Sequence, residues 1–216
     1  CPVAEGSVTL TVKFTTSQGS YDKMVTVRVY KEAFDFGDFL VKGDAGKEVS
    51  FIGRATIDLS EKDIVLQDVE KITIDGEEAT DYVIDGKTLT FIDPEGGAHA
   101  IVLETAMERY YVNATFYGHS ISTVEELEEW RTGIIRAYTV LLNDIDAQGQ
   151  MLAVVEGDYK VGVLDGLGHT VYNFMLQSSF VNGINVTGVI KNIQFINFIQ
   201  DCSVAGNGPV QFGVLA

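Results

Sequence analysis

Gly188-Val189-Ile190-Lys191-Asn192-Ile193-Gln194-Phe195-Ile196-Asn197-Phe198 shows the pattern on which the second half of the chain is built. Its apolar residues come in runs too short for a helix and are divided by asparagine, so helical periodicity is absent. Asn192 and Asn197 stand where a chain of short strands must corner. Asn tolerates left-handed backbone and can bond the main chain of its neighbours, which suits such corners. Ile190, Ile193, Phe195, Ile196 and Phe198 then supply inward side chains, and Val171, Asn173, Phe174 and Leu176 repeat the pattern upstream.

Outward from that stretch, alternation of apolar and polar residues dominates the first half. Ser7-Val8-Thr9-Leu10-Thr11-Val12-Lys13-Phe14 reads as a strand with one buried face. The turn chemistry of Ser17-Gln18-Gly19-Ser20 joins it to a second strand over Met24–Tyr30 as a hairpin. Further strands are expected at Val49–Ile52, Lys71–Ile74, Tyr82–Ile84, Thr88–Ile92, Ala100–Leu103 and Tyr110–Phe116, with tight turns at Asp75-Gly76 and Asp85-Gly86. Short strands at close spacing point to a β-sandwich. A boundary falls near Tyr117-Gly118-His119-Ser120. Beyond it, Ser122–Trp130 reads as a helix, with Ser122 as its cap and Glu125 completing a capping box. Val124, Leu127 and Trp130 lie on one face, and the helix is expected to form a lid on the second domain.

Two resemblances sharpen this reading. Val69–Phe91, with its strands and Asp-Gly turns, resembles immunoglobulin-like modules of bacterial surface proteins. From Ile121 onward the chain resembles the GLUG-type repeat region of such proteins. Tyr138–Asp146 looks like that family's first strand and turn, and Val161-Gly162-Val163-Leu164-Asp165-Gly166-Leu167-Gly168-His169-Thr170-Val171 is similar to its Gly-rich element. Val161 and Leu164 stand where the pattern prefers Phe. Gly188–Phe195 matches a further rung, and Gln211–Ala216 looks like the Gly-Leu ending with its glycines incomplete. The resemblance implies an all-β protein: an immunoglobulin-like β-sandwich over residues 1–118, then a short right-handed parallel β-helix over 119–216 with an N-terminal capping helix. A stacked fold of this kind leaves open edges. The expectation is therefore a chain that continues past Ala216 or an edge-to-edge oligomer.

The formal net charge of −16 over 216 residues excludes nucleic acid and anionic membrane surfaces as partners, since their binding needs Lys and Arg. No stretch approaches the roughly 20 apolar residues of a membrane-spanning helix. The two cysteines, Cys1 and Cys202, give no disulfide framework. Cys202 reads as a small core or turn residue. Cys1 reads two ways: as the lipid-bearing first residue of a mature lipoprotein, tethering the chain to a membrane, or simply as the point where the chain was cut.

Asp144, Asp146 and Asp165, with His169 near in sequence, are the acidic residues able to converge. Three chemistries use such residues: Ca²⁺ ligation, the carboxylate pair of a glycosidase, and the acidic site of a polysaccharide lyase. In the resembled family they recur as turn and corner positions, so a structural role is the stronger reading. Gly162–Gly168 lacks the ending of a phosphate loop, and no Cys/His spacing fits zinc. His99 and His119 have no recognisable nucleophile partner. Tyr110, Tyr111 and Tyr117 read equally as sugar platforms or as core. No metal, cofactor or catalytic residue is expected.

The leading expectation is a non-enzymatic cell-surface or secreted module, extracytoplasmic, that adheres to host or environmental glycans or surface proteins. The alternatives are a β-helix polysaccharide lyase or glycoside hydrolase, and a structural fragment of a larger surface protein. A lyase needs a basic groove to neutralise an acidic sugar, and Arg131, Arg136, Lys160 and Lys191 are few and scattered.

Overall fold

A computed structural model describes residues 6–29, 33–45, 51–155, 162–177, 179–181 and 188–200. The chain is predominantly β, with parallel and antiparallel sheets, and carries a single α-helix among the described residues. It divides into two compact units whose segments interleave in sequence. The first comprises Cys1–Leu40, Thr56–Ile92 and Ala98–Thr115; the second comprises Val41–Ala55, Asp93–Gly97 and Phe116–Ala216.

The first ten strands are β1 (Gly6–Thr16), β2 (Gly19–Val29), β3 (Ala33–Lys42), β4 (Arg54–Asp58), β5 (Lys71–Ile74), β6 (Glu77–Glu78), β7 (Tyr82–Asp85), β8 (Thr88–Ile92), β9 (Gly97–Glu104) and β10 (Arg109–Tyr117). β1 and β2 form the expected hairpin, with Leu10 opposite Val25 and Phe14 opposite Tyr21, but as a two-stranded sheet of their own they leave the face expected to be buried exposed: Val8, Leu10, Val12 and Phe14 are 39–53% exposed. Five strands make a sheet in the order β3-β10-β9-β5-β6, and three make another in the order β4-β8-β7. The period-2 rule holds along β10, where Tyr110, Val112, Ala114 and Phe116 are buried while Tyr111 and Asn113 face out. Ile57, Leu59, Leu66, Ile72, Leu89, Phe91, Ile101 and Leu103 are also buried. The β5–β6 turn falls on Asp75 and Gly76, both at positive φ (52° and 88°), as a two-residue hairpin loop demands.

The second unit adds β11 (His119–Ile121), α1 (Val124–Thr132), β12 (Tyr138–Leu141), β13 (Ile145–Leu152), β14 (Val163–Asp165), β15 (Thr170–Leu176), β16 (Val189–Lys191), β17 (Gln194–Ile196) and β18 (Ile199–Gln200). Two parallel ladders run through it, β11-β12-β14-β16 and β13-β15-β17, with β18 also on β15. Thr139, Leu164 and Ile190 stand in one column, and Ile145, Val171 and Phe195 in another. Each return of the chain to its column, one circuit, therefore takes about 25 residues. Strand-over-strand stacking explains Gly166, where a Cβ would lie 2.4 Å from the Asn192 carbonyl oxygen of the next circuit. Asn173, Asn192 and Asn197 hold left-handed φ values of 58°, 52° and 49°, at the corners their chemistry favours.

Helix α1 starts one residue later than Ser122 suggested. Thr123 is the cap: its hydroxyl accepts from Glu126 N at 3.2 Å, and the Glu126 carboxylate accepts from Thr123 N and Ser122 N. Glu126, not Glu125, thus completes the box. Val124, Leu127 and Trp130 are buried in one core with Leu141, Ile145, Leu164, Val171 and Phe174. No helix among the described residues is long and apolar enough to cross a membrane.

Candidate functional site

Asp165 closes β14 and is 3% exposed. Its column neighbours are Val140 on β12 and Lys191 on β16. The Tyr138 hydroxyl donates to Oδ2 at 2.6 Å, and Lys191 Nζ lies 3.3 Å from the same oxygen. Oδ1 accepts from Leu167 N and from the Asn192 amide, both at 3.0 Å. Burial alone would raise the carboxyl's pKa, but these donors and the ammonium together hold it below the usual carboxylate value. Four partners on two oxygens, from three successive circuits, make Asp165 a clamp rather than a free acid or base.

Asp144 and Asp146 belong to the turn into β13 and its start. Asp144 Oδ1 accepts from Thr170 N at 2.9 Å and lies 3.2 Å from His169 Nδ1, joining one circuit to the next. The Thr170 N–H, with His169 beside it, lowers the Asp144 pKa. Asp146 Oδ1 accepts from Gln148 N and from the Asn173 amide, each at 2.9 Å, and Asn173 in turn accepts from the Asn197 amide. Asp146, Asn173 and Asn197 therefore form a polar ladder across three circuits. The structure brings Asp144 together with His169, but it binds Asp165 to Tyr138, Lys191 and Asn192.

A pocket of about 320 Å³ opens between the first turn of α1 and β13. Ser122, Thr123, Glu125, Asp144, Asp146 and Gln150 contribute hydroxyl, carboxylate and amide groups to it. Such a lining offers donors and acceptors suited to a hydroxyl-rich ligand. Of this set the sequence singled out Asp144 and Asp146 as candidate site residues, and Ser122 and Glu125 only as a helix cap. The remainder come from a helix start and a strand whose proximity depends on how the circuits stack.

The other sequence candidates have distinct fates. Arg131 is completely buried: Nε donates to Phe180 O at 2.8 Å, Nη1 to Glu128 Oε1 at 2.6 Å and Nη2 to Ala153 O at 3.2 Å. Burial pulls the guanidinium pKa down, and Glu128 opposes that shift. Arg136 is exposed, and Lys191 is engaged with Asp165. His99 pairs with Asp75 at 2.7 Å in the first unit. Tyr110 and Tyr117 are buried, while Tyr111 is exposed. Cys1, Lys160, Cys202 and Gln211–Ala216 lie outside the described residues. Among the described residues, no group of three or more His, Cys, Asp or Glu side chains is placed to hold a metal ion. No family model matches the chain, and comparison with curated proteins and with solved structures finds no significant similarity.

Proposed function

We propose that this chain is a non-enzymatic glycan-binding or adhesion module of a bacterial surface, an immunoglobulin-like sandwich carrying a short right-handed parallel β-helix. The observation that carries the reading is the fate of the carboxylates. Asp144, Asp146 and Asp165 each hold a tie between circuits, and the polar pocket beside Asp144 and Asp146 offers contacts for sugar hydroxyls. The parallel ladders and their Asn corners support the β-helix part. The acidic surface suits an extracytoplasmic protein that must stay soluble and repel nucleic acid.

Retention of the whole chain in native gels containing a panel of polysaccharides, with a product assay on the same mixtures, tests the reading. Retardation without product is expected, and Gln150→Ala with Glu125→Gln should weaken it without changing the melting temperature. Product formation would assign an enzyme instead.

A further inference from the structure

The first unit carries a groove of about 760 Å³ that the glycan reading does not use. Its apolar side is formed by Phe34, Val65, Met107 and Tyr110. Phe34 and Tyr110 stack with ring centroids 5.3 Å apart, while Val65 and Met107 are 56% and 37% exposed. Its polar side is formed by Asp63, Asp68, Glu70 and Glu108. Among the described residues that line it there is no lysine or arginine.

The same aromatic row shows what such a surface accepts. Phe36 lies 5.1 Å from the Tyr110 ring, and the chain's own Lys62 sits on this end of the row. Lys62 Nζ is 5.6 Å from the Phe36 centroid and 5.7 Å from that of Phe39, and it donates to Phe36 O at 2.8 Å. A cation over an aromatic face is attracted by the ring quadrupole, and a lysine or arginine stem covers apolar surface while its head stays polar. At the Phe34 end, Asp68 and Glu108 line the groove beside the rings, and no lysine or arginine is among the described residues of that lining. The Tyr110 hydroxyl donates to Glu108, so the phenol adds a dipole rather than a charge. Its pKa is raised, first by burial and then by Glu108, with Asp63 and Asp68 adding to the effect, as expected where several carboxylates act on one spot.

We propose that this groove binds a basic peptide segment of a partner protein. One lysine or arginine lays its stem on Val65 and Met107 and places its head between the Phe34 ring and the carboxylates of Asp68 and Glu108. Charge complementarity selects the occupant: the groove repels anionic polymers, and its apolar side matches a methylene stem better than a hydrated metal ion.

A fluorescent hexalysine peptide titrated into the full chain, read by anisotropy at low salt and at about 150 mM salt, is the test. Saturable binding that weakens with salt is expected. The pair Asp68→Asn with Glu108→Gln should weaken it about tenfold or more, because the charge near the peptide is removed. Glu108→Gln keeps an acceptor for the Tyr110 hydroxyl, and Asp68→Asn alone serves if the pair melts early. Met107→Ser, which changes no charge, should cost about threefold through lost apolar contact. A control pair outside the groove, Glu77→Gln with Asp85→Asn, should cost less than about twofold. Equal losses from the control and groove pairs would mean general attraction to an acidic chain and overturn the proposal. So would no saturable binding, or a Met107→Ser variant that binds as the parent does.

Discussion

Tyr138 and Asp165 are joined by a 2.6 Å hydrogen bond that crosses from β12 to the end of β14, with Lys191 of β16 on the same carboxylate oxygen. The bond links three consecutive circuits through one side chain. Lys191 Nζ also lies 5.2 Å from the Tyr138 ring centroid, which closes the triangle. Removing the carboxylate strands a buried hydroxyl and leaves an ammonium without its partner. Asp165→Ala should therefore destabilise the chain by about 2–3 kcal/mol, and Tyr138→Phe by about 1 kcal/mol. Denaturant unfolding of the three proteins reads this out.

The same carboxylate makes stability pH-dependent, and the sign comes from its lowered folded pKa. A group depressed on folding contributes stability above its unfolded value, about 3.9 for Asp, and that contribution is lost as pH falls through the folded value. The wild-type protein should lose stability on acidification below about pH 4 more steeply than Asp165→Asn does. Melting temperatures of the two proteins between neutral and acid pH should converge, and parallel curves would count against the assignment.

Arg131 anchors the helix in the second unit. Its guanidinium is buried, bonded to Glu128, Phe180 O and Ala153 O, and lies 5.1 Å from the Phe180 ring centroid. Breaking a buried pair by removing one partner typically costs about 3–5 kcal/mol, so Arg131→Ala should lower stability by that order. Arg131→Lys should recover little, because an ammonium cannot serve three acceptors in the guanidinium's planar arrangement. Calorimetry of both variants tests this.

The capping geometry separates two neighbouring hydroxyls. Thr123→Ala removes the acceptor for Glu126 N and should cost about 1 kcal/mol. Ser122→Ala should change stability by less than about 0.5 kcal/mol, since the Ser122 contribution to the box is its main-chain N–H. Thermal melts of the two variants should differ accordingly.

Much of the fold was legible wherever chemistry is local. The Asp75-Gly76 turn, the β1–β2 hairpin and the left-handed backbone at Asn173, Asn192 and Asn197 each follow from what one or two residues permit. Of the inward set, Val171, Phe174 and Leu176 are buried and Ile190, Ile193, Phe195 and Phe198 pack partly buried against them, whereas Ile196, also read as inward, is 51% exposed. The helix start was off by one because Ser122 and Thr123 are both competent caps, each with a Glu three residues on. What stayed hidden depends on distant pairing. Arg131 reads in the sequence only as one of four scattered basic residues, although it lies on the helix with buried Leu127 and Trp130 and i+3 from Glu128. Asp144, Asp146 and Asp165 were visible as a group, but the split between them is set by the register of β12, β14 and β16. The excursions Val41–Ala55 and Asp93–Gly97 join the second unit without any composition shift to announce it.

Asp144, Asp146 and Asp165 tie successive circuits together, and Asp165, outside the polar pocket, has that structural role alone. Thermal unfolding of Asp144→Ala and Asp165→Ala, followed by polysaccharide retention at a temperature where both are folded, tests it most directly. The melting temperature should fall by about 4–12 °C for Asp165→Ala and by less for Asp144→Ala, and the folded Asp165→Ala protein should retain binding. Unchanged melting with binding or turnover abolished would contradict it and return these residues to a functional site.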